Sequence, residues 1–131
     1  MDSKLLLEYC FTNFERKFET AKSLFRSKKY ADCLFFCHLS LEFLLKGKYV
    51  EIRKEMFPIT HDLEKIVLKI GLPLSNSQKE NLATISTFNI AGRYDDFKLS
   101  FYKTANKEFA KRYYNHTKKL LIWIKKFTAQ K

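Results

Sequence analysis

Three polar stretches interrupt a chain that is otherwise apolar at helical spacing: Glu42-x3-Lys46, Thr60-His61-Asp62-Leu63 and Ala91-Gly92-Arg93-Tyr94-Asp95-Asp96. Helix packing does not ask for them, so they are the first places to look for chemistry. Glu42 and Lys46 stand one turn apart, in the order that suits an intrahelical ion pair. Burying either charge alone costs on the order of several kcal/mol, so on an apolar helix each needs a partner. Two arrangements satisfy them. They pair with each other, or Glu42 orients Arg93 or His61 and leaves Lys46 for an anionic ligand. His61 opens a helix, where backbone N–H groups favour an anion, and it could equally serve there by capping or packing. Arg93 and Tyr94 follow Gly92 at an expected helix end; an arginine so placed can hold phosphate or pair with Asp95 or Asp96.

A second set of candidates lies near the C-terminal end. Lys111, Lys118 and Lys125 repeat every seven residues, as do Arg112, Lys119 and Lys126, which makes a basic ridge along one helix. Tyr102, Tyr113 and Tyr114 fall near it, where they could stack on unpaired bases or belong to a core or dimer interface. Arg112-x3-His116 places a phosphate-binding cation one turn from the side chain most often used as a general base near neutral pH. His116 also falls on the apolar seam of its helix, where a histidine is satisfied by packing and one hydrogen bond. His38, in mid-helix among Leu and Phe, has the stronger structural reading and is grouped with Glu42 as a polar cluster.

The net charge of +11 is uneven. Residues 103–131 carry nine Lys or Arg against Glu108 alone, a net +8, while the first 102 residues supply +3. A surface of one sign steers polyanions or acidic proteins toward itself at low salt, and also serves simply to keep a protein soluble.

The periodicity supplies the elements that must position these groups. Leu7, Phe11, Phe14, Phe18, Ala21 and Phe25 give a first helix over about 4–25. A second, over about 30–52, is apolar nearly all round and therefore central. Thr60 is a candidate cap for a short third helix carrying Leu63, Ile66, Val67 and Ile70 and ended by Gly71. Ser75-x-x-Gln78 or Ser77-x-x-Glu80 offers a capping box for a fourth helix, with Gly92 as its breaker. A polar loop is expected through about 104. The last helix then sets Phe109, Tyr113, His116, Leu120, Trp123 and Phe127 on one seam. The expected fold is all-α, an up-and-down bundle of four longer helices and one short helix, with residues 1–131 forming a single domain.

Other classes find little support. The uncharged stretch 35–41 is far too short to span a membrane, and the N-terminus lacks a signal-peptide pattern. Three cysteines, two of them four apart on a helix, argue against a disulfide framework and for a reducing compartment, so the cytoplasm is the expected location. Cys33-x3-Cys37-His38 has ligand-type residues, but neighbouring helical positions point about 100° apart and nothing completes a tetrahedral site. Gly-rich phosphate loops, nucleophile elbows and facing carboxylate pairs are absent, and neither a cofactor nor a metal is expected.

Leu39-Ser40-Leu41-Glu42-Phe43-Leu44-Leu45-Lys46 resembles the second-helix signature of the HEPN family (higher eukaryotes and prokaryotes nucleotide-binding). Thr60-His61-Asp62-Leu63 is similar to that family's Thr-His-Asp-Leu, and Ala91-Gly92-Arg93-Tyr94-Asp95 to its Ala-Arg-Tyr-Pro, with a Gly inserted and Asp in place of Pro. The order of the motifs and the closing amphipathic helix extend the likeness over nearly the whole chain. The resemblance implies a small helical domain, commonly a homodimer, often encoded beside a minimal nucleotidyltransferase in toxin–antitoxin or defence systems. Many members are metal-independent endoribonucleases that use an Arg followed by four to six residues and a His. Arg112-x3-His116 falls one residue short of that spacing, and Arg53-x7-His61 exceeds it. The expectation is therefore a non-catalytic module that binds nucleotide, RNA or a nucleotidyltransferase partner, using Lys46, His61, Arg93, Tyr94, Lys111, Lys118 and Lys125. The alternative is an endoribonuclease using Arg112 and His116.

Overall fold

In the computed structural model, residues 2–93 and 95–128 are described, the side chains of 91–98 excepted. They form six helices: α1 (Ser3–Arg26), α2 (Tyr30–Arg53), α3 (Leu63–Ile70), α4 (Asn76–Arg93), α5 (Asp95–Thr104) and α6 (Lys107–Lys126). The fold is an all-α bundle. Two expectations are corrected. The stretch expected as a polar loop before residue 104 contains α5, and α4 continues through Gly92 to Arg93 instead of breaking at the glycine. Phe101 of α5 packs on Phe88 of α4, with ring centroids 5.3 Å apart. Tertiary burial of one aromatic face thus outweighs a local sequence with weak periodicity.

Helix ends follow local hydrogen-bond chemistry, with one further correction. Ser75 and Gln78 form a reciprocal capping box at the start of α4, each backbone N–H donating to the other's side chain at 2.9 and 3.1 Å. The cap of α3 is Asp62, whose carboxylate accepts from Lys65 N, while Thr60 Oγ1 accepts from the Asp62 N–H. The carboxylate wins that position because it adds charge to the hydrogen bond at the positive end of the helix dipole. Gly71 ends α3 in the left-handed region at φ 82°. Between α1 and α2, Lys28 takes the same region at φ 63°, with Lys29 N–H donating to Leu24 O and Lys28 N–H to Phe25 O. That pattern reverses the chain within three residues and lays α1 against α2 as antiparallel neighbours.

α2 is the centre of the bundle and packs against each of the other five helices. Leu34, Leu41, Leu44, Leu45 and Val50 are fully buried, as its all-round apolarity predicts. α1 comes close to it at Gly47. A Cβ there would lie 2.6 Å from a ring carbon of Phe11 and 3.1 Å from the Cβ of Cys10. On α6 the buried face runs through Ala110, Thr117, Leu120, Leu121 and Ile124, one position round from the expected seam. Phe109, Tyr113, Trp123 and Phe127 consequently flank the core half-buried, because α6 turns its smaller residues toward α2 to come close.

The Gly47 contact makes a direct prediction. Gly47→Val is expected to lower the unfolding free energy by about 2 kcal/mol through overpacking against Phe11 and Cys10. Urea unfolding with an unchanged m-value checks it; a midpoint equal to the parent's would show that α1 and α2 are not in contact there.

Candidate functional site

Glu42 gathers the first two polar stretches into one cluster on α2. Its Oε1 accepts from His38 Nε2 at 3.2 Å and from His61 Nδ1 at 3.0 Å, and its Oε2 accepts from Lys46 Nζ at 3.0 Å. His38 is fully buried, and its Nδ1 lies 3.1 Å from the Ile85 carbonyl of α4. Both His38 nitrogens thus face oxygen atoms. Lys46 is buried too, its ammonium 5.1 Å from the centroid of the Phe57 ring. Burial alone would raise the Glu42 pKa, but hydrogen bonds from His38, Lys46 and His61 and the Lys46 charge outweigh it and lower the pKa from 4.5 to about 2.

The alternatives posed by the sequence combine in this geometry. Glu42 pairs with Lys46 and also contacts His61, so both arrangements occur at once. His61 keeps half of its side chain exposed at a cleft of about 300 Å³ between the α3 start and α4, which Asp62 and Glu64 also line. Two carboxylates beside it oppose an anion there. The described side chains do not include Arg93, and Tyr94 lies outside the described residues, so their place relative to Glu42 is not part of this geometry. Cys33 and Cys37 are buried free thiols packed around Ala21. Among the described residues no group of three or more His, Cys, Asp or Glu is arranged to hold a metal.

The second candidate region lies on α6. Lys111, Arg112, Lys118, Lys119, Lys125 and Lys126 are all exposed. Lys125 pairs loosely with Glu15 of α1 at 3.6 Å and lies 5.7 Å from the Phe14 ring centroid. Tyr113 and Tyr114 are drawn into packing: Tyr113 contacts Phe88, Phe109 and His116, and Tyr114 stacks on Phe18 and Phe25. Of the two roles considered for these tyrosines, packing is the one this geometry displays. Tyr102 is exposed and donates to Asp32 at 3.4 Å.

His116 is half-buried, and Asn81 Nδ2 of α4 lies 3.2 Å from its Nδ1. Burial lowers its pKa, and the positive charges of Lys119 and Arg112 push it the same way. Both effects favour the uncharged ring. Neither Asn81 nor the Ile85 carbonyl carries a signal in the sequence; both contacts exist only because α4 packs beside α2 and α6.

The carboxylate at the centre of the cluster makes stability depend on pH. A folded-state pKa below the ordinary value means that the contribution is complete above pH 4.5 and is lost as pH falls through about 2. Glu42→Gln is expected to lose about 3 kcal/mol of unfolding free energy at pH 7, with the gap from the parent closing toward pH 2. Denaturant titrations of both proteins between these limits check it; a gap that stays constant with pH would locate the effect elsewhere.

Comparison with known proteins places this geometry in context. The family model described as HEPN domain matches residues 7–127. Among solved structures, the crystal structure of TT1696 from Thermus thermophilus superposes with a TM-score of 0.70. It is 17% identical, and the match covers 94% of this chain and 95% of that one, a likeness of fold. No curated protein matches the chain. With the family match spanning all six helices and the Glu42 cluster joining two of the three motif stretches, the chain belongs to the HEPN domain family.

Proposed function

We propose that this protein is a non-catalytic HEPN module, its 131 residues acting as one domain and as a homodimer, that binds RNA or a nucleotide along α6. A minimal nucleotidyltransferase is the protein partner that best suits it, in a toxin–antitoxin or defence pair working in the cytoplasm. One observation carries this reading: seven basic side chains stand exposed on a single helix, six of them at the ridge positions, and among the described residues one loose ion pair offsets them. Such a strip binds a phosphate backbone by displacing its counterions, a salt-sensitive and sequence-independent attraction. The buried cluster supports the reading by exclusion, since Lys46 and Glu42 are occupied with each other and with His38 and His61. No helix among the described residues is long and apolar enough to cross a membrane.

A specific observation favours a second reading, the metal-independent endoribonuclease. Burial and the Lys119 and Arg112 charges favour the uncharged, proton-accepting form of His116, its Nδ1 is engaged by Asn81, and Arg112 stands one turn away to meet a phosphate. Against it stands the three-residue spacing between Arg112 and His116.

Two measurements separate these readings. Lys111, Lys118 and Lys125 replaced together by Ala are expected to weaken single-stranded RNA about tenfold or more at low salt and to flatten the log K against log salt slope by about 2. An unchanged affinity and slope would remove the ridge from the binding surface. In a separate assay with EDTA present, the parent protein is expected to leave single-stranded RNA intact; cleavage that disappears in His116→Ala would replace the first reading with the second.

A further inference from the structure

The C-terminal end of α6 carries an aromatic cleft that neither the Glu42 cluster nor the Lys111, Lys118 and Lys125 positions account for. Trp123 and Phe127 lie one turn apart with ring centroids at 5.7 Å and planes 18° from parallel, and both are only half-buried. Together with Lys126, Thr128, Gly71 and Pro73 they line an open cleft of about 650 Å³. Its opposite wall is the turn that ends α3. Gly71 takes φ 82° there, and a Cβ at Gly71 would meet nothing within 4 Å, so the backbone is open at this point.

The charge beside the cleft is arranged by helix geometry. At about 100° per residue, Arg112, Lys119 and Lys126 fall within about 40° of one another around α6, and Trp123 lies about 40° from Lys119 on the side that His116 also occupies. The cations form a rail, and the indole lies next to it between Lys119 and Lys126. A flat apolar wall beside evenly spaced cations matches one kind of ligand, a strand whose charge runs along its backbone and whose bases turn to one side. Lys119 and Lys126 are about 10 Å apart along the helix.

We infer that this cleft stacks a base of single-stranded RNA on Trp123 and Phe127 while Arg112, Lys119 and Lys126 hold the adjoining phosphates. The inference rests on the RNA-binding reading above and adds to it where a base enters. Base stacking tolerates any base, because each has a π face, so the site selects single strands over duplexes and leaves sequence open.

Trp123 is the sole tryptophan of the chain, so its emission reports the cleft directly. The test titrates the full chain with end-labelled oligoadenylate and with an abasic ribose-phosphate oligomer of the same length, following label anisotropy and Trp123 emission together. Oligoadenylate is expected to raise anisotropy and quench Trp123. The abasic strand is expected to bind about tenfold more weakly and leave the emission unchanged. Phe127→Leu is expected to weaken oligoadenylate about tenfold and to leave the abasic strand unaffected; should that variant not fold, the two-strand comparison on the parent decides alone. Binding of oligoadenylate without quenching, or equal quenching by the abasic strand, overturns the stacking site and leaves the ridge reading standing. No anisotropy change with either strand overturns both. Adenosine monophosphate alone serves as a further arm, and quenching by it as tight as by oligoadenylate would assign the cleft to a free nucleotide and overturn the strand.

Discussion

One buried carboxylate holds the bundle's polar interior together. Glu42 lies on the helix that touches all others, and its two oxygens take hydrogen bonds from His38 and Lys46 on the same helix and from His61 at the entry to α3. His38 carries the connection on to the Ile85 carbonyl of α4. Burial would disfavour this charge, and three donors reverse that preference. The same groups would be costly if any one were removed, because a buried charge or hydrogen-bonding nitrogen would lose its partner. Among the described residues no buried side-chain nitrogen or oxygen lacks a partner, so the cluster is complete within the chain.

That completeness separates the molecule into two parts with different physics. Around α2, polar groups are matched to each other and fix the registers of α3 and α4 against the core. Along α6 the reverse holds: cations are exposed at regular intervals, and their mutual repulsion is tolerated because solvent screens it. The first arrangement specifies a fold and the second leaves a strongly basic surface. His116 sits between them, half-buried on the helix that carries the cations and tied by Asn81 to α4.

Much of the fold was legible because it depends on local chemistry. The long seams of α1 and α2, the Ser75–Gln78 box and the Gly71 stop all follow from spacing and cap preferences within a few residues. α5 was not legible, since its helicity draws on Phe101 meeting Phe88 across the bundle. Nor were the ends at Lys28 and Lys54, where lysines occupy the left-handed conformation that Gly71 adopts at the end of α3. The rotation of α6 by one position was likewise beyond reach, because a seam of large residues and a neighbouring stripe of Ala110, Thr117 and Leu121 are both helical in period. Only the closeness of α2 decides between them.

By itself, the sequence determined the family, the all-helical class and the basic character of the last helix, because motif order, hydrophobic period and charge are properties of the chain alone. Only the tertiary structure decided that Lys46 is committed to Glu42, that Tyr113 and Tyr114 belong to the packing, and that Trp123 and Phe127 border a cleft. Each of those outcomes depends on which residues from distant helices come within a few ångströms, and no spacing along one helix contains that information.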